Sequence, residues 1–347
     1  MQTLILIWIV MLACAASGFA QRTTTTIPGE SEVRKRERES DLIAKRQRDI
    51  EHMNDKIAIT YERDVLGNYV FSCRNNAFCN YVVELSFPNL ENLRPDMPVP
   101  YKMDIPPGTR RMITLSVVTK GAHIHFSHRF RYFKGYLSHA SVDTDYTYLL
   151  PVPPGRETHI FELKYIASEY GNAPEPKGWY ALSLHVHSGD TIYAARRGRV
   201  TETRDDATLT DSNYSFAKEE NYVEISHNDC TFGRYTVFRN SSLFVKPGEW
   251  VEAGQPIGIA GGEKYSGGPQ IRFEVYYYLE QQLPAIGDEP PKSTYRAFVP
   301  LQFWTKDKGA THLANHSAYT SEHPAELITK EMNKKDAKKY YESHKSS

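Results

Sequence analysis

Val245-Lys246-Pro247-Gly248-Glu249-Trp250-Val251-Glu252-Ala253-Gly254-Gln255-Pro256-Ile257-Gly258 decides how this chain is read. Gly248 and Gly254 are turn glycines, and two of them at this spacing force the backbone into a compact β-corner. Upstream, Gly189-Asp190-Thr191-Ile192-Tyr193-Ala194-Ala195-Arg196-Arg197-Gly198-Arg199-Val200 places a tight turn before a strand and a second glycine at its end. It leads to Tyr222-Val223-Glu224-Ile225-Ser226-His227, an alternating strand. Downstream, Tyr265-Ser266-Gly267-Gly268-Pro269 is a turn feeding Gln270-Ile271-Arg272-Phe273-Glu274-Val275. In an extended strand Gln270, Arg272 and Glu274 fall on one face.

The remainder of the 347 residues fits around this β-rich region. Short β-type runs at 57–61, 69–73, 81–87, 111–118 and 123–132 are punctuated by Asn75-Asn76, Pro88-Asn89 and Pro106-Pro107-Gly108. Strands at this spacing without helical periodicity predict a small sandwich. The domain plan is a β-sandwich over 57–150, a second β domain over 151–304, and a Lys-rich tail over 305–347. Residues 325–341 of that tail have the pattern of a marginal amphipathic helix. Residues 21–56 hold a Thr-rich stretch and a dense charge block, a solvated linker leading into a short polar helix with too little apolar surface for a core. The fold class is therefore mainly β, in agreement with 23 tyrosines, a residue suited to pleated surfaces.

Lys+Arg and Asp+Glu are equal at 42 each, so no global field draws the chain to nucleic acid or to an anionic membrane. Residues 1–20 read as an export signal, an apolar run ending in Ser17-Gly18-Phe19-Ala20, too short to span a bilayer comfortably. Cleavage after Ala20 predicts an exported chain, periplasmic or at the cell surface, with no transmembrane segment in its mature form. Met11-Leu12-Ala13-Cys14 is a loose lipobox, the alternative being a lipoprotein anchored at Cys14. Of the remaining cysteines, Cys73 and Cys79 are close enough in sequence to bridge in an oxidising compartment, which leaves Cys230 unpaired.

Taken in order, the four pieces resemble the lysostaphin/LytM-type zinc metalloendopeptidases, which cut peptide cross-links in bacterial cell walls. That family's strand turn reads Gly-Thr-Pro-Val-Tyr-Ala, its corner Val-x-x-Gly-x-x-Val-x-x-Gly-Gln-x-Ile-Gly, and its last strand Gly-Pro-His-Leu-His-Phe-Glu-Val. The resemblance covers roughly residues 180–278 and implies a LytM-like antiparallel sheet of the barrel-sandwich hybrid (duplicated hybrid motif) kind. A corner like 245–258 also occurs in lipoyl carriers, but those present a modifiable Lys at a hairpin tip, and none is so placed here.

The resemblance also implies a zinc held by two histidines and an aspartate, with an open position for water. At the aligned positions this chain has other residues. The metal-binding Asp falls on Ser183, the histidine two residues after a Tyr on Val237, and the paired histidines of the last strand on Gln270 and Arg272. Val has no lone pair, Ser and Gln are weak neutral donors, and Arg is a permanent cation. The expectation is a degenerate member with no catalytic residues and no cofactor, the ancestral zinc having been lost. Its old groove would be lined by Gln270, Arg272 and Glu274, with Trp179 and Tyr235 near the rim. Such a groove would bind a peptidoglycan peptide or an envelope protein such as a wall hydrolase. Two alternatives stand beside this reading: an active zinc peptidase with relocated ligands, for which His185, His187 and Glu274 are the candidates, and a structural scaffold of the envelope.

Overall fold

A computed structural model describes residues 56–165, 175–176, 178–217, 219–280 and 294–344. The export signal, the lipobox and nearly all of the charged linker lie outside the described residues. Among the described residues no helix is long and apolar enough to cross a membrane.

The first seven strands are β1 (Ile57–Arg63), β2 (Tyr69–Asn75), β3 (Tyr81–Glu91), β4 (Leu93–Pro95), β5 (Tyr101–Ile105), β6 (Gly108–Val117) and β7 (His125–Lys134). They form two antiparallel sheets, ordered β1-β2-β6-β4 and β5-β3-β7. Phe71 and Cys73, Val83 and Leu85, and Ile113 and Leu115 are wholly buried; Ser72 and Glu84 between the first two pairs are half-covered, whereas on β6 Met112 and Thr114 are buried as well. The short β4 and β5 flank the stretch from Pro95 to Pro100 and are not among the β-type runs expected from the sequence. Three to five residues between prolines carry no periodicity that marks them as strand.

Downstream come β8 (Thr147–Leu149), β9 (Glu157–Glu162), β10 (Ala181–His185), β11 (Thr191–Tyr193), β12 (Gly198–Arg204) and β13 (Tyr222–Ser226). These are followed by β14 (Phe232–Thr236), β15 (Phe238–Leu243), β16 (Trp250–Val251), β17 (Pro256–Ala260), β18 (Gln270–Glu280) and β19 (Thr294–Phe298). The principal sheet runs β16-β12-β13-β14-β18-β10-β9 and ends on β22 (Ala318–Thr320), with β19 pairing the end of β18. A smaller sheet, β11-β17-β15, contributes Ile192, Ile257, Ala260 and Phe238 to the core beneath it. Gly248 and Gly254 both take positive φ, 98° and 78°, and turn the chain on either side of β16, which produces the corner predicted from their spacing.

After β19, β20 (Gln302–Thr305) pairs β21 (Gly309–His312) and runs parallel to β8. Two short helices, α1 (Ala325–Thr329) and α2 (Lys334–Ser343), close the described chain. Asn333 caps α2 by accepting from the backbone N–H of Lys335 and Asp336. Between the helices Glu331 accepts from Arg196 at 2.8 Å, and the same guanidinium donates to Asp229 at 2.8 Å and lies 3.7 Å from the Tyr146 ring centre. The end of the chain is thereby tied to the principal core.

The principal sheet is buried on both faces along part of its length. On β18 the odd residues Ile271, Phe273 and Val275 enter one core. On the other face Tyr276, with Phe232 of β14 and Phe298 of β19, enters the core of the sandwich. A buried ion pair joins the same surfaces: Lys134 of β7 contacts Glu224 of β13, whose side chain is 1% exposed. Thr201 and Tyr276 also donate to the Glu224 carboxylate. Burial alone would raise the Glu224 carboxyl, but Lys134 and these donors outweigh it and hold the carboxyl well below the usual range.

The disulfide foreseen between Cys73 and Cys79 is not formed. Both are free, buried thiols in the sandwich core. Cys73 lies within β2 on one sheet, whereas Cys79 precedes β3 of the other, and Asn75 fixes the intervening turn by donating to the carbonyls of Cys79 (2.9 Å) and Ile105 (2.7 Å). Burial raises both thiols to about 12, which keeps them protonated.

Candidate functional site

On the face that carries Tyr276, the part of the principal sheet that the sandwich does not cover forms the floor of a cleft of about 1060 Å³. Register fixes what lies on it. Arg272 of β18 stands opposite Ser183 on β10 and Thr236 on β14, and Glu274 stands opposite Ala181 and Arg234. Because side chains alternate, Arg272 and Glu274 rise into the cleft together with Arg234 and Thr236. The walls are Phe161 and Leu163 from the β9 side, Trp179 before β10, and Phe216 from the loop between β12 and β13.

The aligned ligand positions are filled by mutual contacts. Ser183 Oγ donates to Gln270 Oε1, and both residues are buried. Arg272 donates through Nη1 to Glu220 Oε1 at 3.0 Å and through Nη2 to the carbonyl of Ser215 at 3.1 Å. Tyr265 donates to the same Glu220 oxygen at 2.6 Å, and its ring lies 4.9 Å from the Arg272 guanidinium. Val237 is buried with Ala217 and Tyr265, at φ 76°. A β-branched residue in the left-handed region is a strained backbone position that its surroundings must impose. Here the backbone N–H of Val237 donates to the Asn221 carbonyl at 3.1 Å and its own carbonyl accepts from Gly261 at 2.8 Å.

The residues read from sequence thus separate into groups. Arg272, Glu274 and Trp179 line the cleft. Trp179 is held there by donating from Nε1 to the Leu163 carbonyl at 2.6 Å and by packing on Phe298. Gln270 is turned away from ligand access by its bond to Ser183. Tyr235 is not at the rim: as an odd neighbour of Arg234 and Thr236 it points to the opposite side, is wholly buried, and accepts from the backbone N–H of Ala195 at 2.8 Å.

The relocated metal site is also not assembled. His185 stands opposite Gln270 and Glu274 opposite Ala181, four residues apart along the strand, or roughly 13 Å at strand rise. His187 lies beyond β10, with Nδ1 2.7 Å from Arg156 and its backbone N–H donating to Asp190, while the His185 ring packs 4.6 Å from Phe161. Among the described residues no group of three or more His, Cys, Asp or Glu side chains is arranged to hold a metal ion.

Most of the charges on the floor are matched within the protein. Glu274 accepts from Arg296 at 3.3 Å, and burial, opposed by Arg296 and Arg234, raises its carboxyl above the usual range. Burial and the neighbouring Glu220 carboxylate raise the Tyr265 hydroxyl, so it stays a donor. Sequence reasoning missed Glu220, Arg234, Tyr222 and Phe216. Glu220 and Phe216 sit in a loop with no pattern of its own, and only the register of β13, β14 and β18 brings Tyr222 and Arg234 to the cleft.

Replacing Arg272 with alanine should leave Glu220 with Tyr265 as its hydrogen-bonding partner and release the Ser215 carbonyl. The expected loss is roughly 1.5–3 kcal/mol, the worth of hydrogen bonds to a charged group. It would be read as a lower urea midpoint together with faster amide exchange over residues 205–217.

At the positions that the resemblance aligns with metal ligands, this cleft carries other residues, Ser183, Gln270, Arg272 and, beside it, Val237. Residues 177–284 match the model of Peptidase family M23. Among solved structures, the catalytic domain of lysostaphin from Staphylococcus simulans is similar at 24% identity, over 38% of this chain and 79% of that one, with a TM-score of 0.23. The catalytic domain of the prophage-encoded M23 protein EnpA from Enterococcus faecalis matches at 21% identity, over 39% and 87%, with a TM-score of 0.22. A chain of the SpoIIQ–SpoIIIAH pore-forming complex matches at 19% identity, over 38% and 84%, with a TM-score of 0.27. Among curated protein sequences, none matches this chain.

Proposed function

We propose that this protein is a non-catalytic, peptidase-like module of the bacterial cell envelope that binds wall peptide in the cleft of its M23 domain. The observation that carries this reading is the replacement of a ligand set by two closed contacts, Ser183 with Gln270 and Arg272 with Glu220, beside a cleft that stays open. A neutral Ser–Gln pair and a guanidinium offer no ligands to a divalent ion, so the step that generates a metal-bound nucleophile has no support from these residues. The shape and the mixed aromatic and charged lining suit a short peptide. A module that holds wall peptide without cutting it is suited to regulating a hydrolase that cuts. Export to the periplasm or cell surface, foreseen from residues 1–20, brings it to that substrate.

The test combines metal analysis, digestion and sedimentation with purified sacculi. The mature chain, equilibrated with zinc and gel-filtered, is expected to retain no stoichiometric zinc, to release no soluble muropeptides, and to sediment with sacculi. Phe216, 46% exposed on the cleft wall, is the least disruptive probe. Phe216→Ala is expected to weaken sedimentation about tenfold, the loss of one aromatic contact, without lowering the thermal midpoint. One tightly held zinc per chain together with muropeptide release would sink the proposal.

A further inference from the structure

Three arginines line the cleft, Arg204, Arg234 and Arg272, and two of them are committed within the protein. Arg204 donates to Glu219 at 2.7 Å and to Asp206 at 3.1 Å, and Arg272 to Glu220 and Ser215. Arg234 differs. It occupies the middle of β14, with Glu224 opposite it on one neighbouring strand and Glu274 on the other, yet both carboxylates are already engaged. Glu224 is held by Lys134, Thr201 and Tyr276, and its nearest approach to Arg234 is 3.9 Å; Glu274 accepts from Arg296.

Among the described residues the Arg234 side chain makes no hydrogen bond, and it is 22% exposed. Its guanidinium carbon lies 3.8 Å from the Tyr222 ring centre, which fixes the plane of the fork. A planar fork of N–H donors, held by stacking on the floor of an apolar-walled cavity, is the geometry that receives a carboxylate through two parallel hydrogen bonds. Holding the fork in advance reduces the entropy lost on binding.

We propose that Arg234 is the anchoring residue of the cleft, and that the ligand is a peptide taken by one of its carboxylates, with its apolar part against Phe161 and Trp179. This rests on the peptide-binding reading above. Tyr222 acts as a positioning residue, keeping the guanidinium flat. Arg272, at an aligned ligand position, instead holds the loop that carries Phe216 in the wall.

The experiment is sedimentation of the full mature chain with two preparations of sacculi, one native and one with its carboxylates converted to amides by carbodiimide and ammonium. The wild-type protein is expected to bind native sacculi about tenfold or more tightly than amidated ones, the worth of a charge-assisted hydrogen bond. Arg234→Gln is expected to bind both preparations at the weaker level, Arg234→Lys to recover part of the preference, and Lys246→Gln, a surface change, to behave as wild type. Equal wild-type binding to both preparations would overturn the role of a carboxylate while leaving the peptide-binding reading intact. Unchanged binding by a folded Arg234→Gln would remove Arg234 as the anchor. Binding to neither preparation would overturn the peptide-binding reading itself. Should Arg234→Gln fail to fold, the comparison of native and amidated sacculi with wild-type protein still decides for or against carboxylate recognition.

Discussion

Replacing Lys134 with alanine is expected to destabilise the protein by about 3–5 kcal/mol, the usual cost of removing one partner of a buried ion pair. Lys134 is 10% exposed and Glu224 1% exposed, so the change would leave a carboxylate under the sandwich with Thr201 and Tyr276 as its donors and no cation hydrogen-bonded to it. Arg234, at 3.9 Å, is too far to hydrogen-bond. The cost measures the uncompensated charge more than the worth of the pair. The double variant Lys134→Met with Glu224→Gln should therefore lose much less than Lys134→Ala. Urea unfolding of the two variants checks this. Equal losses would show that packing of the Lys134 side chain outweighs its charge.

Lowering the pH from 6.5 to 4 is expected to remove about 3 kcal/mol of stability through His227 alone. The His227 side chain is enclosed, and a Cβ added to Gly233 would sit 2.9 Å from its Nε2, which has no hydrogen-bond partner, while Nδ1 lies 2.8 Å from the Arg197 carbonyl. Burial first and the Arg196 cation second push this imidazole down to about 4. With the folded value below the unfolded one, the unfolded chain binds the extra proton in that interval, so stability is present above about 6.5 and is lost as pH falls. Asp229, whose carboxyl burial would raise but Arg196 holds down, adds to the loss at lower pH. Comparing urea midpoints at pH 7 and pH 4.5 in the wild type and in His227→Gln tests the assignment. If His227 is responsible, the variant loses less on acidification; an equal loss would place the titration elsewhere.

The scaffold was legible because it is written in local chemistry. The glycines at 248 and 254, the turn before Gln270 and the alternation of 222–227 each act on neighbouring backbone, and they lie within the residues that match the M23 family model. The same holds for the replaced ligand positions Ser183, Gln270 and Arg272, which require only alignment to a motif. Tyr235 was misplaced because the motif supplies its position along the strand but not the face, and one residue of register separates the cleft from the core. The Cys73–Cys79 bridge was misread because closeness in sequence says nothing about two sheets meeting across a core.

The sequence by itself determined the β architecture, the match of residues 177–284 to the M23 model and the side chains at the aligned ligand positions. Tertiary structure alone decided which charges are already matched. Glu220 reaches Arg272 from 52 residues away and Lys134 reaches Glu224 from 90, and with these pairings made the Arg234 guanidinium, 3.9 Å from Glu224, has no side-chain hydrogen bond among the described residues. The physical reason is that hydrogen bonds and ion pairs act over a few ångströms, so their partners are set by strand register and sheet packing, which no local pattern in the chain encodes.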